Sequence, residues 1–298
     1  MDIKEARKLV RDYEKIPNPN ETDDFLYTEA MEYLIEEKRN PEDMLRLGGW
    51  YYEKKIFGPA LRWYETAADL GSISACEGLG YIWYYGRTGK KDYEKAFKYY
   101  SKAKEAGILE AAVKIADMYK NGYYVEKDYD KYCELVEELY PKVKNTRNVY
   151  DPLPEVFTRL AHIRAKQGRT DEAIELYLRA KDFQWQRLKY NNWFGDVNIM
   201  LWLIDDLYSL TPFDEKDFDL YDMSWLLKEA PAKVRFLYRG KPYTVEAVND
   251  DDVYAIRFNG RSYPDRNTFY ARAGLNGRLL TALYEDLYGF KIIKEDAE

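Results

Sequence analysis

Apolar residues recur at helical spacing along most of the first 230 residues, and a short alternating pattern replaces them after that point. Between residues 42 and 139 one arrangement of small, aromatic and acidic positions occurs three times. The second and third copies are offset by 36 residues, as Gly71 and Gly107 show. A fixed period of this length is typical of stacked helical hairpins, because each hairpin buries its apolar face only against its neighbours. The pattern therefore predicts a mainly α-helical solenoid.

The repeated positions have consistent physical roles. Small residues recur where one helix must let another approach closely, and these are Gly48, Gly80 and Ala116 on the first helix and Ala60, Ala67, Ala96 and Ala103 on the second. Tyrosines such as Tyr64 and Tyr100 are expected to fill the space between hairpins. Asp92 and Asp128 are expected to begin the second helices, where a carboxylate suits the free backbone amides.

The motif A-x3-LG-x2-Y-x2-G, a loop that ends in Asp, and then KA-x2-YY-x2-A-x3-G resembles the Sel1-like subclass of tetratricopeptide repeats. The second copy carries it on Ala75, Leu79, Gly80, Gly86, Asp92, Lys95, Ala96, Tyr99, Tyr100, Ala103 and Gly107. The first copy has an internal loop four residues shorter, and the third has Lys131 and Tyr132 in place of the KA pair. Residues 155–181 fit the spacing of a more ordinary tetratricopeptide hairpin. The resemblance implies an α-solenoid whose concave face mediates protein–protein contacts, and it implies no catalytic centre.

Further helices are expected on both sides of the repeats. Two precede them, over residues 2–15 and up to about residue 39, and they look like an atypical terminal hairpin that closes the stack. Two apolar helices follow the fourth hairpin, over 196–210 and 214–229. We expect these last two helices to seal the end of the solenoid.

From Pro231 the pattern changes to the alternation that is typical of strands. The expected elements are strands over 234–238, 243–247 and 253–258, followed by helices near 265–273 and 278–288. The pair Asn259-Gly260 after the third strand is a strong hairpin signal. The sequence thus predicts two domains, a helical repeat domain over 1–230 and a small α+β domain over 231–298 with a three-stranded antiparallel meander.

Charge and cysteine content restrict the partners and the cellular location that we expect. The chain of 298 residues carries a net charge of -7 and contains two cysteines, Cys76 and Cys133, neither in a CxxC motif. An acidic chain does not attract nucleic acid or anionic lipid through its overall field. The N-terminus lacks an apolar signal core, and the longest apolar run, residues 199–204, is too short to span a bilayer. A cytoplasmic protein without a membrane segment is expected, and its oligomeric state stays open.

No motif for catalysis, a metal or a cofactor stands out, so we expect neither an enzyme nor a bound cofactor. His162 is the only histidine, which excludes a multi-histidine metal site and leaves any catalytic triad dependent on one residue. The run GRTGKK at residues 86–91 superficially resembles a phosphate-binding loop. No strand precedes it, however, and it falls in the loop that belongs to the repeat.

Tetratricopeptide spacing places the positions two and five residues after the Leu-Gly leucine on the concave surface. This selects the candidate groove residues Tyr52, Tyr81, Tyr84, Asp117, Lys120 and His162, with Glu77 one turn before Tyr81. Tyrosine offers a large contact area at low entropic cost, and it is enriched where binding energy concentrates. We therefore expect a non-enzymatic adaptor that binds a peptide or protein partner in this groove. Core packing is the alternative role for the tyrosines, and an ordinary helix surface is the alternative for His162.

A second class of function rests on the C-terminal domain. Residues 233–272 contain eight Lys and Arg residues against five acidic residues, a local excess of three positive charges. The order of turns and aromatic residues is similar to small DNA-associated modules found beside restriction and adenine-methylase enzymes. A basic strand face near Tyr243, Tyr254 and Tyr263 would suit a nucleic-acid-associated regulator. The alternative is an ordinary half-buried sheet with solvated charges, so nucleic acid is the less favoured partner.

Overall fold

The computed structural model describes residues 1–16, 19–190, 196–250 and 253–294. The chain forms two compact units, Met1–Leu139 and Tyr140–Glu298. Helical hairpins build the first unit, and the second combines helices with an antiparallel sheet, so the predicted fold class is confirmed. The domain boundary predicted between residues 230 and 231 is a different division of the chain, and it stays a prediction.

The first unit is a run of helices that pair along the chain. They are α1 (Ile3–Tyr13), α2 (Glu21–Lys38), α3 (Pro41–Glu53), α4 (Phe57–Asp69), α5 (Ile73–Tyr85), α6 (Tyr93–Glu105), α7 (Leu109–Asn121) and α8 (Tyr129–Val143), whose last turn extends beyond the unit. Helix α3 packs against α4 and α5 against α6, while α4 contacts α5 and α6 contacts α7. Successive hairpins therefore stack, as the 36-residue period predicts.

The acidic residues of the repeat begin the second helices. The Asp92 carboxylate accepts a hydrogen bond from the Lys95 backbone N–H at 3.0 Å, which confirms Asp92 as the N-cap of α6. Asp128 accepts from the Lys131 backbone N–H at 2.8 Å in the same way. Two aspartates that lie one repeat period apart thus cap the second helices of successive hairpins in the same way.

One tyrosine ring joins two hairpins. The ring of Tyr64, on α4, lies between Gly48 of α3 and Gly78 of α5. A Cβ atom on either glycine would lie 2.7 Å from a ring carbon, on opposite edges of the ring, which is closer than carbon atoms approach. Glycine is therefore needed at both positions, because the aromatic ring fills the space that a side chain would occupy. Tyr100, on α6, lies against Gly80 of α5 in the same way.

The third hairpin fills its interior with a different arrangement. Tyr132 stands one period after Ala96, and Val136 stands one period after Tyr100, so the large and small residues have exchanged places. Both Tyr132 and Val136 are buried. The exchange keeps the interior filled, because total core volume matters more than which helix position supplies it.

The second unit begins with a helical hairpin and ends in a sheet. Its elements are α9 (Leu153–Lys166), α10 (Thr170–Tyr190), α11 (Asp196–Leu210), α12 (Met223–Leu226), β1 (Ala232–Tyr238), β2 (Lys241–Asp250), β3 (Val253–Phe258), β4 (Arg261–Tyr263), α13 (Arg266–Arg272), β5 (Gly274–Leu275), β6 (Arg278–Leu279), a 3-10 helix (Thr281–Asp286) and β7 (Leu287–Ile292). Helix α9 packs on α10 and α10 on α11, so the predicted hairpin over 155–181 is confirmed.

The main sheet of the second unit is antiparallel, with the strand order β4-β3-β2-β1-β7. Strands β1 to β3 are the predicted meander, with Val234 opposite Val245 and Val245 opposite Phe258. Inward side chains of these strands share one hydrophobic core with α11 and α13, which supply Met200 and Phe269. Helix α11 therefore contributes to the core of the sheet.

The helix predicted over 214–229 is wrong. Only the short α12 is α-helical there. The Asp219 carboxylate accepts hydrogen bonds from the backbone N–H groups of Tyr221 and Asp222, at 2.7 and 2.9 Å. This side chain holds a turn, since aspartate competes with helical backbone bonds by bonding to nearby N–H groups.

The helix predicted over 278–288 is also wrong. The chain there forms β6, the 3-10 helix and the start of β7. Asn276 and Gly277 both have positive φ, which closes a tight hairpin between β5 and β6. Strand β7 then pairs with β1, with Leu287 opposite Tyr238, so a long-range pairing overrides the local helical pattern.

Replacing Gly80 with alanine should lower the free energy of unfolding by ~1–3 kcal/mol, because its methyl group would overlap the Tyr100 ring. Gly58→Ala is the matched control, since nothing lies within 4 Å of a Cβ atom at that position of α4. Chemical denaturation of both variants measures the difference. Equal stability of the two variants would contradict the packing role of Gly80.

Candidate functional site

Side chains from the first helices of successive hairpins, α3, α5 and α7, meet on one face of the first unit. Its aromatic residues, here called the tyrosine face, are Tyr52, Tyr81, Tyr84, Tyr85 and Tyr100. The rings of Tyr81 and Tyr85 are stacked with centroids 5.9 Å apart, and Tyr84 contacts Tyr85 edge-on at 4.9 Å. Tyr100 reaches this face from α6, with its ring centroid 5.9 Å from that of Tyr81. The predicted residues Tyr81 and Tyr84 therefore lie together.

Two cations contact tyrosines of the face from a neighbouring hairpin or across two hairpins. Arg87 donates from Nε to the Tyr52 hydroxyl at 3.2 Å, and its guanidinium lies 5.0 Å from the centre of the Tyr85 ring. Lys114 donates from Nζ to the Tyr85 hydroxyl at 3.1 Å and lies 5.3 Å from the centre of the Tyr81 ring. Tyr52 is only 8% exposed and is largely a core residue, whereas Tyr85 is 40% exposed. The cations hold the tyrosines in fixed positions on the face.

Glu77 lies one turn before Tyr81 on α5 and is half-buried. Burial raises the pKa of its carboxyl above the ordinary value, and the Lys114 ammonium opposes this shift without cancelling it. Burial raises the pKa of the Tyr64, Tyr81 and Tyr100 hydroxyls, and the Glu77 charge raises each further. The Glu77 charge therefore acts on three phenols.

The third hairpin contributes Asp117 and Lys120 from α7. Burial raises the pKa of the Tyr84 hydroxyl, and the Asp117 carboxylate raises it further, so Asp117 lies close to the tyrosine face. The Lys120 Nζ lies 5.3 Å from the centre of the Tyr132 ring, on α8. Both predicted residues thus lie on the third hairpin, where the Asp117 charge acts on Tyr84 and Lys120 lies over Tyr132.

His162 belongs to the second unit, on α9. Its Nε2 atom lies 3.0 Å from Asp206 Oδ2 on α11, and its ring meets the Tyr177 ring edge-on with centroids 5.8 Å apart. These contacts join three helices of the second unit, α9, α10 and α11. The other six predicted residues all belong to the first unit.

Sequence reasoning missed three residues of this region, Tyr85, Arg87 and Lys114. Lys114 carried a signal, because it stands 36 residues after Gly78 and so replaces a glycine that holds a ring in the preceding hairpin. Tyr85 and Arg87 flank the helix-ending Gly86, at positions that the repeat motif leaves free. Their role depends on which way the loop after α5 carries their side chains, and the motif does not specify this.

The basic residues of the C-terminal region are partly neutralised. The ion pairs are Lys233–Glu246, Arg257–Asp250 and Arg266–Asp205. Tyr263 is buried, and Tyr243 stacks on Phe236 with centroids 5.9 Å apart. Two of the five acidic residues counted above, at positions 251 and 252, lie outside the described residues. The predicted aromatic residues of this face therefore pack into or against the core of the sheet.

The described parts of the chain contain neither a metal-binding cluster nor a membrane-spanning helix. No three His, Cys, Asp or Glu side chains come together there as a metal ion would require. Among the described helices, none combines the length and the apolar content that are needed to cross a bilayer. A cleft of about 720 Å³ in the second unit is lined in part by Trp225, Val248 and Ile292, and none of the seven predicted groove residues lines it.

Glu77→Gln should raise the free energy of unfolding at pH 7, because it removes a carboxylate that burial penalises. The raised pKa means that the ionised form is disfavoured in the folded chain, so the penalty applies above the unfolded pKa of glutamate, ~4.3. The gain should vanish as the pH falls below that value, where both states are protonated. Denaturation curves of both proteins at several pH values measure it, and a gain independent of pH would contradict the assignment.

Comparison with known sequences agrees with the repeat pattern. A family model described as Sel1 repeat matches residues 60–72, 73–108 and 109–131. Among curated proteins, none matches this sequence.

Comparison with solved structures concerns the fold. A tetratricopeptide-repeat protein, YrrB, described as having an unusual peptide-binding site, is 15% identical with a TM-score of 0.39, and the match covers 61% of this chain and 93% of that chain. The protective antigen c5321 of uropathogenic Escherichia coli, which displays an SLR fold, is 19% identical with a TM-score of 0.45, covering 72% and 50%. A Sel1 repeat protein from Oxalobacter formigenes is 22% identical with a TM-score of 0.50, covering 68% and 75%. Residues 60–131 of this chain are therefore Sel1 repeats within a helical repeat fold.

Proposed function

We propose that the first unit is a non-enzymatic binding module that holds a peptide, or a segment of a partner protein, against the tyrosine face. Repeats of this fold typically mediate protein–protein interactions. The observation that carries the proposal is the accumulation of half-exposed tyrosines on α5, where Tyr81, Tyr84 and Tyr85 lie together and Tyr85 is 40% exposed. The chain would then act as an adaptor between this partner and whatever its second unit contacts.

The chemistry of the face suits a peptide. Tyrosine presents a flat apolar surface together with a hydroxyl, so it can pack on side chains and also bond to a peptide backbone. Arg87 and Lys114 hold the Tyr52 and Tyr85 hydroxyls by hydrogen bonds of 3.2 and 3.1 Å. Side chains fixed before binding lose little freedom when a partner arrives, and this favours affinity.

The nucleic-acid alternative has less support. Lys233, Arg257 and Arg266 each form an ion pair with a carboxylate, so part of the local basic excess is balanced inside the unit. Tyr254 donates its hydroxyl hydrogen bond to the Leu227 carbonyl. An aromatic ring that packs against the core is a poor platform for stacked bases.

The double substitution Tyr81→Ala/Tyr84→Ala should abolish capture of a partner from native lysate by the full chain. Both rings belong to the tyrosine face, and truncating buried aromatic anchors of an interface often costs at least ~2 kcal/mol of binding, roughly 30-fold in affinity. Affinity capture followed by mass spectrometry measures the loss. Since both rings are half-buried, Tyr85→Glu at the more exposed position provides a second variant that disturbs packing less.

The matched control is Tyr150→Ala, a 75% exposed tyrosine of the second unit. Thermal melting of all the variants shows whether each one is folded. A partner recovered equally well by wild type, the Tyr85→Glu variant and the double variant would contradict binding through the tyrosine face.

A further inference from the structure

The cleft of about 720 Å³ in the second unit has an apolar wall that packing within the chain covers only in part. This wall includes Trp225 of α12, Val248 of β2 and Ile292 of β7, and each of these side chains is half-buried. Small-molecule sites in proteins are clefts of roughly 300–1,000 Å³ with a mostly apolar lining and a few well-placed polar groups. The volume and the lining of this cleft therefore suit a small organic ligand.

Four charged side chains around the cleft are paired with one another. Lys294 Nζ lies 2.8 Å from Glu215 Oε2. Lys233 forms an ion pair with Glu246. A ligand in the cleft therefore meets no net charge from these two pairs.

Lys228 places a cation against the aromatic part of the wall. Its Nζ atom lies 4.9 Å from the centre of the Trp225 ring, and both residues line the cleft. Asp205 Oδ2 lies 3.9 Å from Lys228 Nζ, which is beyond hydrogen-bond distance. The two Asp205 carboxylate oxygens instead accept hydrogen bonds from the Arg266 guanidinium, at 2.8 and 2.7 Å. Two cations thus share one carboxylate, and the Lys228 side chain, which is 44% exposed, can donate to a ligand.

We propose that this cleft binds a small aromatic carboxylate, with its ring system on the apolar wall and its carboxylate on the Lys228 ammonium. The site lies within the second unit, so it goes beyond the peptide binding proposed for the first unit. A flat apolar body removes Trp225 and the half-buried aliphatic side chains from water. Its carboxylate gives Lys228 an acceptor of its own through a charge-assisted hydrogen bond, while Asp205 stays bonded to Arg266.

Other ligands fit this arrangement less well. A neutral aromatic compound covers the same wall, but it takes water away from the Lys228 ammonium without supplying a charged acceptor. An ammonium compound is repelled by Lys228 beside Trp225, although Glu229 borders the cleft with the opposite charge. The aromatic anion is therefore the ligand that matches both the apolar wall and the cation held against it.

The test compares three probes that share one ring system, which are 2-naphthoate, an anion, 2-naphthamide, a neutral compound, and 2-naphthylmethylamine, a cation at pH 7. Each probe is titrated into the full chain, and NMR follows the indole N–H signal of Trp225, which a Trp225→Phe variant identifies among the seven tryptophans. Naphthoate should bind at least about tenfold more tightly than naphthamide, because hydrogen bonds to charged groups are stronger than neutral ones. Lys228→Met, which keeps the length of the side chain, should reduce this ratio to about one. Lys228→Gln, which also removes the charge, should act in the same way.

Lys241→Met is the matched control, because it removes the same charge from an exposed position of β2 that does not line the cleft, and it should leave the preference intact. Thermal melting shows whether each variant is folded. A preference for naphthoate that survives both Lys228 substitutions, or naphthoate binding that leaves the Trp225 signal unmoved, overturns the proposal. Tighter binding of the cationic probe, lost on Glu229→Gln, overturns it as well, and so does a failure of all three probes to bind.

Discussion

The contact between a tyrosine ring and a glycine on the neighbouring helix is the interaction on which the first unit depends. Tyr64 lies between Gly48 and Gly78, so one ring separates the helices of two hairpins. Tyr100 makes the corresponding contact with one glycine, Gly80. Without a Cβ atom at these positions the helices can approach until the ring fills the gap between them. The stacking distance of the hairpins therefore follows from the size of one aromatic ring.

The same contact places a second ring beside the tyrosine face. Tyr100 packs on Gly80, and its ring centroid lies 5.9 Å from that of Tyr81. Where the next hairpin has Lys114 in place of the ring-holding glycine, the ammonium bonds to Tyr85 and fixes that ring. The face is thus assembled from residues that pack the repeat and residues that depart from it. Lys114 is the charged residue among these departures.

The parts of the fold that depend on local period and on small residues were predictable from the sequence. The hairpins over residues 42–139, their aspartate caps and the three-stranded meander follow from residues near one another in the chain. The secondary structure of segment 278–288 was not predictable, because it depends on the pairing of β7 with β1, which lies far away in sequence. At the site, helix positions located Glu77, Tyr81 and Tyr84. The bridging roles of Arg87 and Lys114 depend on side-chain directions that spacing alone does not specify.

Chemical-shift mapping of backbone amides in the full chain, with the partner recovered by affinity capture added, tests most directly whether binding occurs on the tyrosine face. The account predicts that the largest shifts lie on α5, around Glu77, Tyr81 and Tyr85, with smaller ones on α3 and α7. Tyr85→Glu should weaken these shifts. Shifts confined to α4 and α6, or to residues 231–294, would contradict it.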